Sequence, residues 1–336
     1  MREPRILWFR RLALAGTCLA FCVVVLGAWV RLTDAGLGCP DWPGCYGHVF
    51  PAGSTHRFAQ AVHEMVHRYV ASSLGLIIAG LAVLALINRR DPEQPVAPAA
   101  VLFAVVCLQG LLGMKTVTLK LEPLIVTAHL LGGLTTLAIL RWLSLPRERR
   151  RLTEAERGLA PFAVVGFAVL ALQIFLGGWT STNYAAVACP DLPTCQRSFW
   201  PAMDFKDAFV LWRGLGIDYE GGVLANPARV AIHVTHRLGA VVAGLTLLSL
   251  GIMVATRARG RLKVIGGVLI VAVLAQVSLG VLTVHWGVPL SIATMHNAGA
   301  AFLVLVMVTL LHALWPATRG PGPPVGGPDL HGNLAK

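Results

Sequence analysis

Charge is scarce in this chain. Only 13% of its 336 residues are charged, against 56% hydrophobic, and the mean hydropathy is +0.69. That composition excludes an ordinary soluble domain. Acidic residues are scarcer still, 16 Asp and Glu against 28 Lys and Arg, which gives a formal charge of +12 and a pI near 10.0. A small-residue cleavage site is also missing between the first apolar segment and Arg31, so this segment reads as a retained helix and not as a signal peptide. What is present in quantity is long apolar runs. A helix needs about 20 apolar residues to cross a hydrocarbon core, and runs of that length lie near 12–31, 62–87, 97–115, 123–145, 159–180, 229–255, 263–284 and 290–315. The expectation is an all-α integral membrane protein of eight transmembrane helices.

The few basic residues are placed on alternate connections. Arg2, Arg5, Arg10 and Arg11 precede the first span, and Arg89 and Arg90 follow the second. Arg147, Arg149, Arg150, Arg151 and Arg157 separate the fourth and fifth, and Arg257, Arg259, Arg261 and Lys263 the sixth and seventh. Positive charge on one set of loops marks the cytoplasmic side, so both termini are expected there. The excess charge is a topology signal with added attraction for anionic lipid headgroups, and it calls for no nucleic acid. The Pro- and Gly-rich residues 317–336 read as a disordered cytoplasmic tail.

The connections 32–61 and 181–228 then face outward, and each carries the same cysteine motif. Cys39-Pro40-Asp41-Trp42-Pro43-Gly44-Cys45 answers to Cys189-Pro190-Asp191-Leu192-Pro193-Thr194-Cys195. An oxidising outer compartment permits disulfides. Three readings are open: a loop staple, a redox-active pair, and a four-Cys zinc site, whose ligand spacers would be longer than usual. Cys18, Cys22 and Cys107 lie in apolar helices and read as small hydrophobes.

The repeat extends beyond the cysteines. Gly27-Ala28-Trp29 answers to Gly177-Gly178-Trp179, the stretch 109–117 to 276–284, His67-Arg68 to His236-Arg237, and His129 to His296. An even number of spans separates the halves, so the repeat is parallel, with an axis along the membrane normal. Two pseudo-symmetric four-helix bundles are expected, in residues 1–150 and 151–316. An ionisable residue at lipid depth needs a partner or a function. Histidine is a common axial ligand of heme iron, so His67, His129, His236 and His296 suit two hemes, one per half. Arg68 and Arg237 are placed to meet heme propionates. His63, about 100° from Glu64 around its helix, is left out of this set, and His48 and His56 are assigned to its loop. His285 and His312 read as interfacial.

One position breaks the repeat. Laying His67 on His236 puts Glu64 on His233, on the same helical face as the histidine three residues later. A carboxylate there is either bonded to a neighbouring helix or used as a general base, which points to a reactive first half and a relay in the second.

In order, Gly27-Ala28-Trp29-Val30-Arg31-Leu32-Thr33, Glu64-Met65-Val66-His67-Arg68, His129, His236-Arg237-Leu238-Gly239 and Met295-His296-Asn297 resemble the heme A synthase family. These membrane enzymes oxidise a methyl group of heme O to the formyl group of heme A for terminal oxidases. The resemblance implies a bacterial inner-membrane protein with substrate heme O at His67 and His129 and heme B at His236 and His296. Glu64 would be the catalytic carboxylate, and Cys39 and Cys45 the family's first-loop pair. It also implies a hydroxylated intermediate, heme B as electron relay, a partner enzyme that makes heme O, and an unidentified electron acceptor. A homo-oligomer is compatible with it. A diheme b-type cytochrome and a heme transporter or chaperone are the rival readings. The outer loop carrying Trp200-Pro201, Trp212-Arg213 and Asp218-Tyr219-Glu220 is expected to cap the second heme or meet a partner.

Overall fold

The structure is a computed structural model, and it describes residues 2–53, 57–146 and 152–315. His56, the basic residues Arg147, Arg149, Arg150 and Arg151, and the expected tail 317–336 lie outside the described residues.

Ten helices make up the described chain: α1 Arg2–Leu32, α2 Phe58–Ile87, α3 Val96–Thr118, α4 Pro123–Ser144, α5 Glu154–Arg157, α6 Ala160–Thr182, α7 Phe205–Ala208, α8 Asn226–Arg257, α9 Arg261–His285 and α10 Leu290–Leu314. No strands occur among the described residues, and eight helices are long and apolar enough to cross a membrane. The expectation of an all-α multi-pass membrane protein therefore holds. Several helices run beyond the apolar stretches, as where α2 begins at Phe58 rather than near 62. Hydrogen bonding within a helix continues past the point where hydrophobicity stops, because each added residue closes another backbone bond.

The two four-residue helices were not anticipated, and both owe their start to a cap. Thr153 and Glu156 form a reciprocal capping box on α5, and the Asp204 side chain accepts from the Asp207 N–H on α7 at 3.0 Å. At α4, Glu122 accepts from the Ile125 N–H at 2.9 Å and Pro123 occupies the first turn, where no backbone donor is needed. Inside the spans, hydroxyls are satisfied within their own helix, as where Thr17 donates to the Ala13 carbonyl at 2.8 Å and Thr246 to Val242 at 2.8 Å. This is required in a medium without water.

The spans present bulky apolar side chains outward, Leu76, Leu172, Leu245 and Val271 among them. Lipid is as good a solvent for these as a neighbouring helix is, so packing is decided by close fit. Where α8 meets α9, a Cβ on Gly266 would stand 2.6 Å from the Ala255 nitrogen, so only glycine permits that approach. In the first half α1 packs on α2 and α4, and α3 on α2 and α4. In the second, α6 packs on α8 and α10, and α9 on α8 and α10. The halves meet through α1 with α10, α4 with α6, and α4 with α10. The apolar core lies along this junction, with Leu137, Leu140, Ala163, Ala301 and Leu310 fully buried.

Candidate functional site

The two cysteine loops fold alike. Cys39 is disulfide-bonded to Cys45, and Cys189 to Cys195. In the first, Cys45 N–H donates to His48 O at 2.9 Å and His48 N–H to Cys45 O at 3.1 Å; Cys195 and Ser198 exchange the same two bonds at the same distances. Asp41 accepts from the backbone N–H groups of Tyr46 and Gly47, and Asp191 from those of Gln196 and Arg197. The Gly47 N–H holds the Asp41 carboxyl below its ordinary value, and the Thr194 hydroxyl acts likewise on Asp191. Each pair is closed within its own loop, which leaves no thiolates for a shared zinc ion and removes that reading. Cys18, Cys22 and Cys107 are free and exposed on the outer faces of α1 and α3.

Arg68 and Arg237 carry these loops. Arg68 Nη1 donates to the carbonyls of Asp41, Pro43 and Gly44 at 3.0, 3.2 and 2.7 Å. Arg237 donates to those of Asp191 and Thr194, both at 2.9 Å, and Cys189 at 2.7 Å. Arg237 Nε is buried and keeps no partner.

Glu64 is 4% exposed and fully engaged. Its Oε2 accepts from the Cys39 N–H at 2.8 Å, and its Oε1 from Arg68 Nη2 at 2.5 Å. The carboxylate thus ties the loop to α2. At the matching position, His233 is buried and its Nδ1 has no partner.

The four histidines occupy equivalent seats. A Cβ on Gly27 would lie 3.0 Å from His67 Cε1, on Gly113 3.3 Å from His129 Cε1, on Gly177 3.1 Å from His236 Cε1, and on Gly280 3.1 Å from His296 Cε1. Every imidazole therefore rests against a bare helix backbone that any side chain would crowd. His67 and His129 are seated on glycines of the first half, and His236 and His296 on glycines of the second. The rings as a whole are half-buried, yet Nδ1 of His67, His129 and His296 is sealed without a partner. A histidine that ligates iron through Nε2 would keep its proton on Nδ1; His67 and His129 present that arrangement, whereas Gln173 Nε2 lies 3.0 Å from His236 Nδ1 and Gln276 Nε2 3.5 Å from His296 Nε2. The donor set fits a bis-histidine heme in each half. His63, one turn before His67 on α2, lies edge-on to Trp29 with ring centroids 6.3 Å apart. His285 ends α9 beside Trp286, and His312 packs on Trp142 at 4.9 Å.

Three glutamines escaped the sequence reading as functional groups. Gln109, Gln173 and Gln276 donate from Nε2 to the carbonyls of His129, His236 and His296 at 2.8, 3.1 and 3.0 Å. The signal was available, because each precedes one of the seat glycines by four residues. The long loop 196–228, expected at the second heme or a partner, packs on the second half, where Trp179 Nε1 donates to Ala208 O at 2.9 Å, and also reaches the first. There Tyr219 N–H donates to Lys120 O at 3.1 Å and Glu220 accepts from Arg57 at 2.7 Å. Arg31 reaches back to the Ser181 carbonyl at 2.6 Å and lies over the Tyr184 ring at 4.1 Å.

Residues 10–308 match the family COX15-CtaA, described as cytochrome oxidase assembly protein. The chain is 40% identical over 327 residues to the Heme A synthase of Shewanella oneidensis, covering 92% of this chain and 96% of that protein. It is 26% identical to the Heme A synthase of Rhizorhabdus wittichii, over 88% of this chain and 91% of that one. To the Heme A synthase of Caulobacter sp. strain K31 it is 27% identical, over 91% and 95% respectively.

Proposed function

The chain belongs to the COX15-CtaA family, and from that premise we propose that it is a heme A synthase, an oxidoreductase that converts a methyl group of heme O to a formyl group through a hydroxylated intermediate. The observation that carries this reading is the 40% identity to a Heme A synthase over 92% of the chain. The family match, over residues 10–308, includes Glu64, all four seated histidines and both cysteine loops.

His67 and His129 hold the substrate heme O in the first half, and His236 and His296 hold heme B in the second. Heme B supplies one-electron redox chemistry when bound. The glycine seats set the azimuth of each ring, and at His67 and His129 the sealed Nδ1 edge leaves Nε2 as the free nitrogen. Arg68 and Arg237 both commit their Nη groups to the cysteine loops, so each braces a loop over its half. Glu64 is the general base of the first half. Each of its oxygens accepts one hydrogen bond, Oε2 from Cys39 and Oε1 from Arg68, and keeps a second lone pair for a proton, so the base is held against the cysteine loop. Coupling of the base to the loop is the role this gives the Cys39–Cys45 bridge, whether or not its sulfurs also carry electrons.

The setting is the inner membrane of a bacterium, with both termini cytoplasmic, the cysteine loops outside, and the two halves related by rotation about the membrane normal. The basic connections support the orientation, and the matching contacts of α1 with α10 and α6 with α4 support the rotation. The enzyme that makes heme O and an electron acceptor are the expected partners.

The test is to produce the protein in membranes that make heme O and have no other route to heme A, and to identify the extracted hemes by chromatography and mass. Heme B with heme A or the hydroxylated heme is the expected result. Heme B alone would mean a b-type electron-transfer protein, and heme O recovered unchanged a carrier.

A further inference from the structure

The four histidine seats are alike in their glycines and unlike in their fastening. At three of them a glutamine of the preceding span donates to the histidine's own carbonyl: Gln109 to His129, Gln173 to His236 and Gln276 to His296. A carbonyl oxygen only accepts, so the amide nitrogen must face it. A helical carbonyl has a second lone pair free for this bond while it serves its own helix.

The amide has room because a glycine lies three residues beyond each histidine. A Cβ on Gly132 would stand 2.8 Å from Gln109 Cδ, and one on Gly239 or Gly299 would collide with the Oε1 of Gln173 or Gln276. The fastening is therefore a two-part device, Gln-x3-Gly on one helix and His-x2-Gly on the next. In the second half the amides also reach the rings, with Gln173 Nε2 at 3.0 Å from His236 Nδ1 and Gln276 Nε2 at 3.5 Å from His296 Nε2.

His67 has neither part. Val23 stands four residues before Gly27 where the others have glutamine, and Val70 stands three after His67 where the others have glycine. The valine at 23 has no donor, and the valine at 70 fills the space an amide would need.

We propose that Gln109, Gln173 and Gln276 are positioning residues that lock three axial histidines, and that His67 is left unlocked so that the first-half site can exchange its porphyrin. This rests on the heme-ligand reading above. A substrate must enter and its product leave, so at least one ligand must let go during each turnover, whereas a resident heme is served by two fixed ligands. Holding the helix at the histidine's own carbonyl fixes ring height and tilt. Where that hold is missing, α2 can shift along α1 and withdraw the ring. The second half, with two ligands locked at their own carbonyls, is the permanent site. The first half, with His129 locked and His67 not, holds one fixed and one exchangeable ligand.

The test compares the purified full-length protein with Gln276→Leu, Gly299→Ala and the double variant Val23→Gln/Val70→Gly. Heme transfer to excess apomyoglobin is followed by absorbance, and ligation by electron paramagnetic resonance. Gln276→Leu removes the donor and Gly299→Ala displaces it, so both should speed loss of the second-half heme by about tenfold, the scale of second-shell effects on metal affinity. Both should also weaken its low-spin bis-histidine signal, which a merely structural role would leave unchanged. The double variant should slow release from the first half by a similar factor, about tenfold, and leave the second half as it was. Release rates equal to those of the unaltered protein in the glutamine and glycine variants, or in the double variant, would overturn the proposal. The extracted heme reports separately on the synthase reading: unchanged heme O with site-selective release rates would sink the chemistry and leave the lock standing.

Discussion

Replacing Glu64 by Ala should open the first cysteine loop and leave the second closed. Glu64 accepts from the buried Cys39 N–H and from Arg68, and Cys39 and Cys45 are both fully buried, so a reductant reaches the bridge only when the loop lifts. Losing the carboxylate leaves the Cys39 N–H unsatisfied, at about 1–3 kcal/mol. Breaking a buried ion pair can cost about 3–5 kcal/mol when the surviving charge is stranded. Arg68 is not stranded, because it keeps the carbonyls of Asp41, Pro43 and Gly44. The loop also lies at the water-facing end of α2. The net loss of hold should be about 2 kcal/mol, which multiplies the open population by roughly 30. The assay is timed reduction with dithiothreitol followed by differential alkylation and mass spectrometry of the two bridges. Cys39–Cys45 should be reduced roughly 30 times faster than in the unaltered protein, with opening the slow variable. Cys189–Cys195 is the internal control, since Arg237 holds that loop through carbonyls alone. Equal reduction of the first bridge in variant and parent would refute the anchor, and Glu64 would then have to be explained by its chemistry only.

Gly280→Leu should crowd His296 off its seat, where an added Cβ would by itself stand 3.1 Å from the ring, and strip the second-half heme; heme per polypeptide by the pyridine hemochromogen assay checks it. Lowering the pH should loosen both loops: Asp41 and Asp191 have folded values depressed by hydrogen bonds, so their contribution is full above the unfolded value near 3.8 and fades as the pH falls through the depressed one. Limited proteolysis of the loops should thus be flat from neutral pH down to about 5 and rise below about 4. Tyr219→Phe should leave thermal unfolding unchanged or raise it slightly, because the buried hydroxyl has no partner to lose.

Much of the site was legible because membrane helices are local objects. With no water to satisfy backbone groups, each span must close its own hydrogen bonds, so apolar runs alone announced eight helices. The histidines stood out for a related reason: an ionisable side chain at that depth needs a use, and four at repeat positions are hard to assign otherwise. Arg68 was harder to read. As a residue beside a histidine it suggested a propionate partner, but besides Glu64 one turn away its contacts are carbonyls 24 to 27 residues away in the chain. The glutamine locks were half visible, since Gln109 and Gln276 sit at matching positions, but their meaning depends on which glycine of the next helix lies opposite.

The sequence by itself determined the class, the eight spans, the paired histidines and cysteine loops, and the single Glu64 departure, because each is set by composition or spacing within one segment. Only the tertiary structure decided that Glu64 and Arg68 brace the first cysteine loop, that the long outer loop reaches across to Lys120 and Arg57, and that His67 alone goes unfastened. Those facts are distances between segments far apart in the chain, and no local pattern encodes a distance of that kind.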